Sequence, residues 1–110
     1  MNQLENDLAK AFRERLSLLF PQRLESLTVF GSRARGEARR DSDMDVLVLL
    51  KGEVERAVKH QVYDLAYDMN AENDFAIPLA PLVMSVEAFS ELKNRERALA
   101  REILRDGIHL

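Results

Sequence analysis

Cysteine is absent from this sequence of 110 residues, which excludes disulfide bonds, zinc–thiolate sites and cysteine nucleophiles. Long apolar runs are absent too, since no stretch approaches the roughly 20 residues that a membrane-spanning helix requires. The first residues, MNQLENDLAK, carry acids and lack the apolar core of a secretory signal. These absences lead us to expect a cytoplasmic protein that has no contact with a membrane.

An excess of positive charge is also absent. The 16 Lys and Arg residues against 19 Asp and Glu give a net charge of −3, whereas domains that bind nucleic acids generally carry a strongly basic face. A nucleic-acid partner is therefore not expected. Hydrophobic residues make up 46% and charged residues 32%, the balance of a globular protein rather than a disordered one. The length predicts one domain, residues 1–110, with a single modest core.

Hydrophobic periodicity predicts alternating helices and strands. Apolar residues recur with helical spacing in three segments, of which the last forms one helix or two: residues 4–19, 54–70 and 85–104. Three further segments have the composition of strands: residues 24–31, 43–50 and 74–84. A short polar helix is expected from Ser32 to about Arg39, and Gly107 is expected to end the last helix. This order of elements predicts an α/β (α+β) domain.

A glycine–serine turn lies between the first strand and the short helix. A helix that starts at Ser32 offers free backbone N–H groups and a positive dipole end, which together favour an anion. Gly31 allows close approach of the backbone, and the Ser32 hydroxyl can donate a further hydrogen bond. Arg33 and Arg35 add positive charge nearby, and a guanidinium can bind two phosphate oxygens at once. The turn is a candidate phosphate site; alternatively, Ser32 only caps a helix and both arginines are solvated.

Two aspartates mark the start of the second strand. Asp43 and Asp45 are two positions apart, so on a strand they project to the same side. Carboxylates held so close repel each other unless a cation lies between them. Mg²⁺ suits such a pair because it binds one or two carboxylates together with substrate phosphates. Two such ions, about 3.5–4 Å apart, stabilise both the attacking and the leaving oxygen of a phosphoryl displacement. The alternative is a polar turn whose aspartates cap a strand.

The turn and the aspartates form one continuous motif: Gly31-Ser32-x-Ala34-Arg35-Gly36, followed by Ser42-Asp43-x-Asp45. This motif resembles the signature of the DNA polymerase β-like nucleotidyltransferases and, more narrowly, of the minimal nucleotidyltransferase (MNT) family of small prokaryotic proteins. The resemblance implies a mixed β-sheet of three to four strands flanked by helices. It also implies that a Mg²⁺-bound nucleoside triphosphate lies across the end of the sheet.

The resemblance assigns roles to individual residues. Gly31 and Ser32 would hold the β- and γ-phosphates with help from Arg35, while Asp43 and Asp45 would hold two Mg²⁺ ions. A hydroxyl of the acceptor would attack the α-phosphorus, and pyrophosphate would leave. Positioning and electrostatic stabilisation account for most of the catalysis in such a scheme.

Active family members carry a third carboxylate on a neighbouring strand. The family spacing places it close to Pro78, which cannot serve. Asp74 has the same parity as Pro78 and would face the site if the strand were regular, although it lies about 13 Å earlier along the chain at 3.3 Å per residue. Asp74 is therefore a third catalytic candidate beside Asp43 and Asp45. The alternative is that Asp74 is a turn residue between helix and strand.

Two functions follow from the resemblance. The first is Mg²⁺-dependent transfer of AMP from ATP to a hydroxyl of a partner protein, with the chain acting as the antitoxin of a HEPN/MNT toxin–antitoxin pair. A chain of this size has no second domain for a small acceptor, so a partner protein or an oligomer must complete the site. The second is a catalytically weak or silent binding module that neutralises a HEPN-domain partner by contact. A third and weaker possibility is a nucleotide sensor.

Overall fold

The computed structural model describes all 110 residues, which form five helices and four strands. In chain order these elements are α1 (Gln3–Leu19), β1 (Leu24–Phe30), α2 (Ser32–Arg35), β2 (Met44–Leu50), α3 (Arg56–Glu72), β3 (Leu79–Ser85), α4 (Val86–Arg95), α5 (Arg97–Asp106) and β4 (Ile108–His109). No helix is long and apolar enough to cross a membrane.

The four strands form one mixed sheet in the order β3-β2-β1-β4. β1 runs antiparallel to β2 and to β4, whereas β2 and β3 are parallel. β2, one of the two interior strands, is buried along almost its whole length, because its run from Val46 to Leu50 is apolar on both faces. The predicted α/β fold, a mixed sheet flanked by helices, is confirmed.

Helices cover both faces of the sheet. α1 and α3 pack on one face over the larger hydrophobic cluster, to which β2 contributes Val46 and Val48. α4 and α5 cover the other face over a smaller cluster that contains Leu47 and Leu49. Because side chains alternate along a strand, Asp45 has the parity of Leu47 and lies on the face covered by α4 and α5. The packing of these two helices therefore determines what surrounds the aspartates.

The start predicted for the third strand, residue 74, is wrong. β3 begins at Leu79, because Asp74 and Phe75 adopt positive φ angles of 54° and 55° and form a turn after α3. The buried side chain of Asn70 fixes this junction: its Oδ1 accepts from Leu79 N–H at 2.7 Å, and its Nδ2 donates to the Leu79 carbonyl at 3.2 Å.

Two smaller differences concern α2 and the C-terminus. α2 ends at Arg35 rather than Arg39, because Gly36 adopts the left-handed conformation (φ 73°) that commonly ends a helix. After the predicted stop at Gly107, Ile108 and His109 add a fourth strand beside β1. The His109 Nδ1 lies 2.9 Å from the hydroxyl of Thr28, which holds this short strand in place.

Candidate functional site

Gly31 brings the glycine–serine turn against the aspartates. Its backbone angles, φ 75° and ψ −156°, fall in a region that is essentially restricted to glycine. A Cβ atom at this position would also overlap Oδ2 of Asp45. Glycine is therefore required twice, for the conformation of the turn and for its close approach to Asp45. As a result, the start of α2 and the start of β2 form a single site.

The aspartate pair carries negative charge that the fold leaves largely uncompensated. Asp45 is half-buried at the second position of β2, opposite Phe30, and Asp43 is exposed just before the strand. Burial raises the pKa of Asp45, the charges of Asp43 and Glu102 raise it further, and only Arg35 opposes this rise. A divalent cation would remove this penalty, and paired carboxylate oxygens are ligands that suit Mg²⁺. The donor set therefore fits the predicted metal.

Arg35 lies beside this charge but is engaged with two glutamates. Its Nη1 donates to Glu102 at 2.8 Å and its Nε donates to Glu37 at 3.0 Å. Glu102 belongs to α5 and was not among the predicted site residues, since it lies 67 residues from Arg35 and belongs to no motif. The structure thus adds α5 to the site, and Glu102 and Glu37 compete with a phosphate for the guanidinium of Arg35.

Arg33 does not contribute to the phosphate turn as the sequence suggested. Its guanidinium is buried, forms an ion pair with Glu5 at 3.2 Å, and donates twice to the Ser42 carbonyl at 2.7 and 3.1 Å. Arg33 therefore acts as a positioning residue. It ties α1 to the loop that delivers Asp43.

No carboxylate lies on β3 beside the aspartate pair. Ala80 is the register partner of Asp45, and the Pro78 carbonyl accepts from the Met44 N–H at 2.7 Å. Asp74 is exposed in the turn before β3, so the regular strand that would have brought it to the site is not formed. No three His, Cys, Asp or Glu side chains are grouped so that they could hold a metal ion by themselves. A metal at Asp43 and Asp45 would therefore depend on ligands from substrate or solvent.

A glycine–serine turn packed against paired aspartates at the end of a mixed sheet defines a polymerase β-like nucleotidyltransferase. The chain belongs to the nucleotidyltransferase domain family, whose model matches residues 8–106. The resemblance predicted from the motif is confirmed.

Individual relatives agree with this assignment. Over 69 residues the chain is 32% identical to a protein of Methanocaldococcus jannaschii named "Putative protein adenylyltransferase", and this region covers 57% of the chain and 70% of the relative. A crystal structure of a "putative nucleotidyltransferase" from Sulfolobus solfataricus superimposes with a TM-score of 0.58 at 27% identity, covering 94% of this chain and 76% of that one. A toxin–antitoxin structure with AMP-PNP has the same fold, with a TM-score of 0.60 at 18% identity over 91% and 70% of the two chains.

Proposed function

We propose that this protein transfers AMP from ATP to a hydroxyl of a partner protein, as the antitoxin of a HEPN/MNT pair. The observation that carries the proposal is the contact between Gly31 and Asp45, which joins the phosphate turn and the carboxylate pair in one site. The M. jannaschii relative is named as a protein adenylyltransferase, and fold neighbours come from toxin–antitoxin structures, one of them with AMP-PNP. These names support a protein acceptor and an adenine nucleotide.

Each residue of the site has a role in the proposed reaction. The backbone at Gly31 and Ser32 would bind the β- and γ-phosphates, and the guanidinium of Arg35, for which Glu102 competes, would help to bind them. Asp43 and Asp45 would hold two Mg²⁺ ions, which would neutralise charge on the phosphates. The acceptor oxygen forms a bond to the α-phosphorus while the bond to the bridging oxygen breaks; pyrophosphate leaves with that electron pair, and the hydroxyl proton passes to solvent.

A labelling experiment tests the proposal. Purified protein is incubated with α-labelled ATP, Mg²⁺ and a lysate of its own source, beside an Asp43→Asn/Asp45→Asn double variant. We expect a labelled protein band that the double variant does not produce. An Asp64→Asn/Asp68→Asn variant, which removes two exposed carboxylates from α3, should leave the band unchanged. A band of equal intensity with the first variant would exclude the aspartate pair from the reaction.

The second candidate, a binding module with a weak or silent site, is favoured by one observation: Ala80, which carries no carboxylate, stands beside Asp45. It predicts that the Asp43→Asn/Asp45→Asn variant still neutralises a toxic partner in growing cells. Loss of neutralisation together with loss of labelling would support the enzyme. Neutralisation that survives without labelling would support the binding module.

The ion pair between Arg35 and Glu102 gives a prediction about nucleotide affinity. Glu102→Gln should tighten ATP binding by up to about fivefold, because an exposed pair worth roughly 0.2–1 kcal/mol no longer competes with phosphate. Calorimetric titration with ATP and Mg²⁺ measures the change. Glu91→Gln, which breaks the exposed pair with Arg95 on α4, is the matched control and should have no effect. Weaker ATP binding in Glu102→Gln would instead mean that this carboxylate helps to hold the metal–nucleotide complex.

A further inference from the structure

Four cations are spaced four residues apart along α4 and α5: Lys93, Arg97, Arg101 and Arg105. These four side chains, with Ala100 and Leu104, line an open groove of about 450 Å³ that no carboxylate lines. We refer to it as the α5 basic groove. In a chain with a net charge of −3, this is a local concentration of charge of the opposite sign.

The placement of Arg97 and Arg101 opposes helix stability, whereas Lys93 and Arg105 lie in the last turns of α4 and α5, and Arg105 forms an ion pair with Asp106 at 3.0 Å. Like charges four residues apart repel each other on a helix. Arg97 is the first residue of α5, where the positive end of the helix dipole disfavours a cation, and the acid beside it, Glu96 at the N-cap, forms no ion pair with it. Lys93, Arg97 and Arg101 take part in none of the seven ion pairs of the structure. An external anion would relieve this repulsion.

The α5 basic groove continues into the candidate nucleotide site. A second cavity of about 460 Å³ is lined by Arg35 and Glu102, and it shares Arg101 and Arg105 with the groove. Arg35 and Glu102 are also the charges that act on Asp45 in addition to that of Asp43. A ligand in the groove would therefore lie beside the position at which the nucleotide reacts.

We propose that the α5 basic groove binds an acidic segment of the partner protein and so guides the acceptor hydroxyl to the nucleotide, an inference that rests on the function proposed above. Carboxylates match the guanidinium groups in geometry and charge. Leu104, which is 57% exposed, offers a contact for an apolar side chain within the same segment. At 1.5 Å per residue α5 is about 15 Å long, which an extended segment of about five residues would span.

Nucleic acid fits the α5 basic groove less well. Single strands are bound by basic grooves that also present aromatic rings on which the bases stack. No aromatic side chain lines this groove.

The test is a binding measurement that does not depend on catalysis. The probe is a fluorescent nine-residue peptide, built from Glu and Asp with one Leu and one Tyr, and its anisotropy is followed with the whole protein at low salt. We expect saturable binding that is weakened by about tenfold or more in Lys93→Gln/Arg97→Gln, which removes two cations that line the groove but not the second cavity. The control variant Lys10→Gln/Arg56→Gln removes two exposed cations from α1 and α3 and should bind within about twofold of the wild type. Unchanged ATP binding shows that the nucleotide site of each variant is intact.

Each other outcome overturns the inference. Absence of peptide binding, or equal weakening in both double variants, would remove the α5 basic groove as a specific site. A single-stranded RNA that binds more tightly than the peptide, and loses that binding in Lys93→Gln/Arg97→Gln, would assign the groove to nucleic acid. Because peptide binding is measured without ATP, its failure and a failure of AMP transfer are seen separately.

Discussion

Asp45→Asn is expected to reduce AMP transfer by on the order of 100- to 1,000-fold while making the metal-free protein more stable. The loss of activity corresponds to several kcal/mol of transition-state stabilisation that a bound metal supplies. The gain in stability has a different origin, since burial and the neighbouring charge of Asp43 raise the pKa of Asp45 and so penalise its ionised form in the fold. Asparagine has nearly the same shape and carries no charge. Labelling assays and thermal unfolding in EDTA measure the two effects.

The pH dependence of this difference follows from the direction of the pKa shift. A carboxyl group whose pKa is raised on folding costs nothing while it is protonated in both states, and it destabilises the fold once the pH rises through the folded pKa. The advantage of Asp45→Asn should therefore be small below pH 3.8, the ordinary pKa of an aspartate, and largest at neutral pH. Mg²⁺ should raise the melting temperature of the wild type but not of the variant. A variant that is less stable than the wild type in EDTA at neutral pH would contradict the argument, and Asp64→Asn on α3 serves as the control.

The parts of the site that the sequence predicted depend on local relations. A spacing of two residues across the start of β2 relates Asp43 to Asp45, and a turn that directly joins β1 to α2 relates Gly31 to Ser32. The contact between Gly31 and Asp45 then follows from the pairing of two neighbouring strands, in which Phe30 stands opposite Asp45. These relations can be predicted without knowing how the rest of the chain folds.

The remaining features depend on contacts between distant residues, which a pattern of residue types does not contain. Arg33 and Arg35 both bring positive charge close to the turn in the sequence, but Arg33 is buried against Glu5 of α1 whereas Arg35 faces Glu102 of α5. Whether a helical residue points to solvent or to a neighbouring element depends on how the helices pack. The start of β3 depends likewise on the buried side chain of Asn70, which bonds both backbone groups of Leu79.

Arg33→Gln should destabilise the protein by about 3–5 kcal/mol, because it leaves the Glu5 carboxylate buried without its partner. Both side chains of the pair are 8% exposed, and Arg33 also supplies two hydrogen bonds to the Ser42 carbonyl. Denaturant unfolding measures the change in the free energy of unfolding. Arg15→Gln breaks an exposed pair with Glu72, in which the side chains are 45% and 55% exposed, and should cost about 1 kcal/mol or less.

Further measurements distinguish the loss of the buried ion pair from a general loss of stability. Glu5→Gln added to Arg33→Gln should recover part of the loss, since no unpaired charge then remains buried. Burial alone would raise the pKa of Glu5, but the hydrogen bond from Asn2 and the charge of Arg33 together hold it below 4.5. The contribution of the pair should therefore be complete above pH 4.5 and disappear as the pH falls through the lowered pKa of Glu5. If Arg33→Gln costs no more than Arg15→Gln, or if its cost does not change in acid, the pair does not hold α1 to the loop before Asp43.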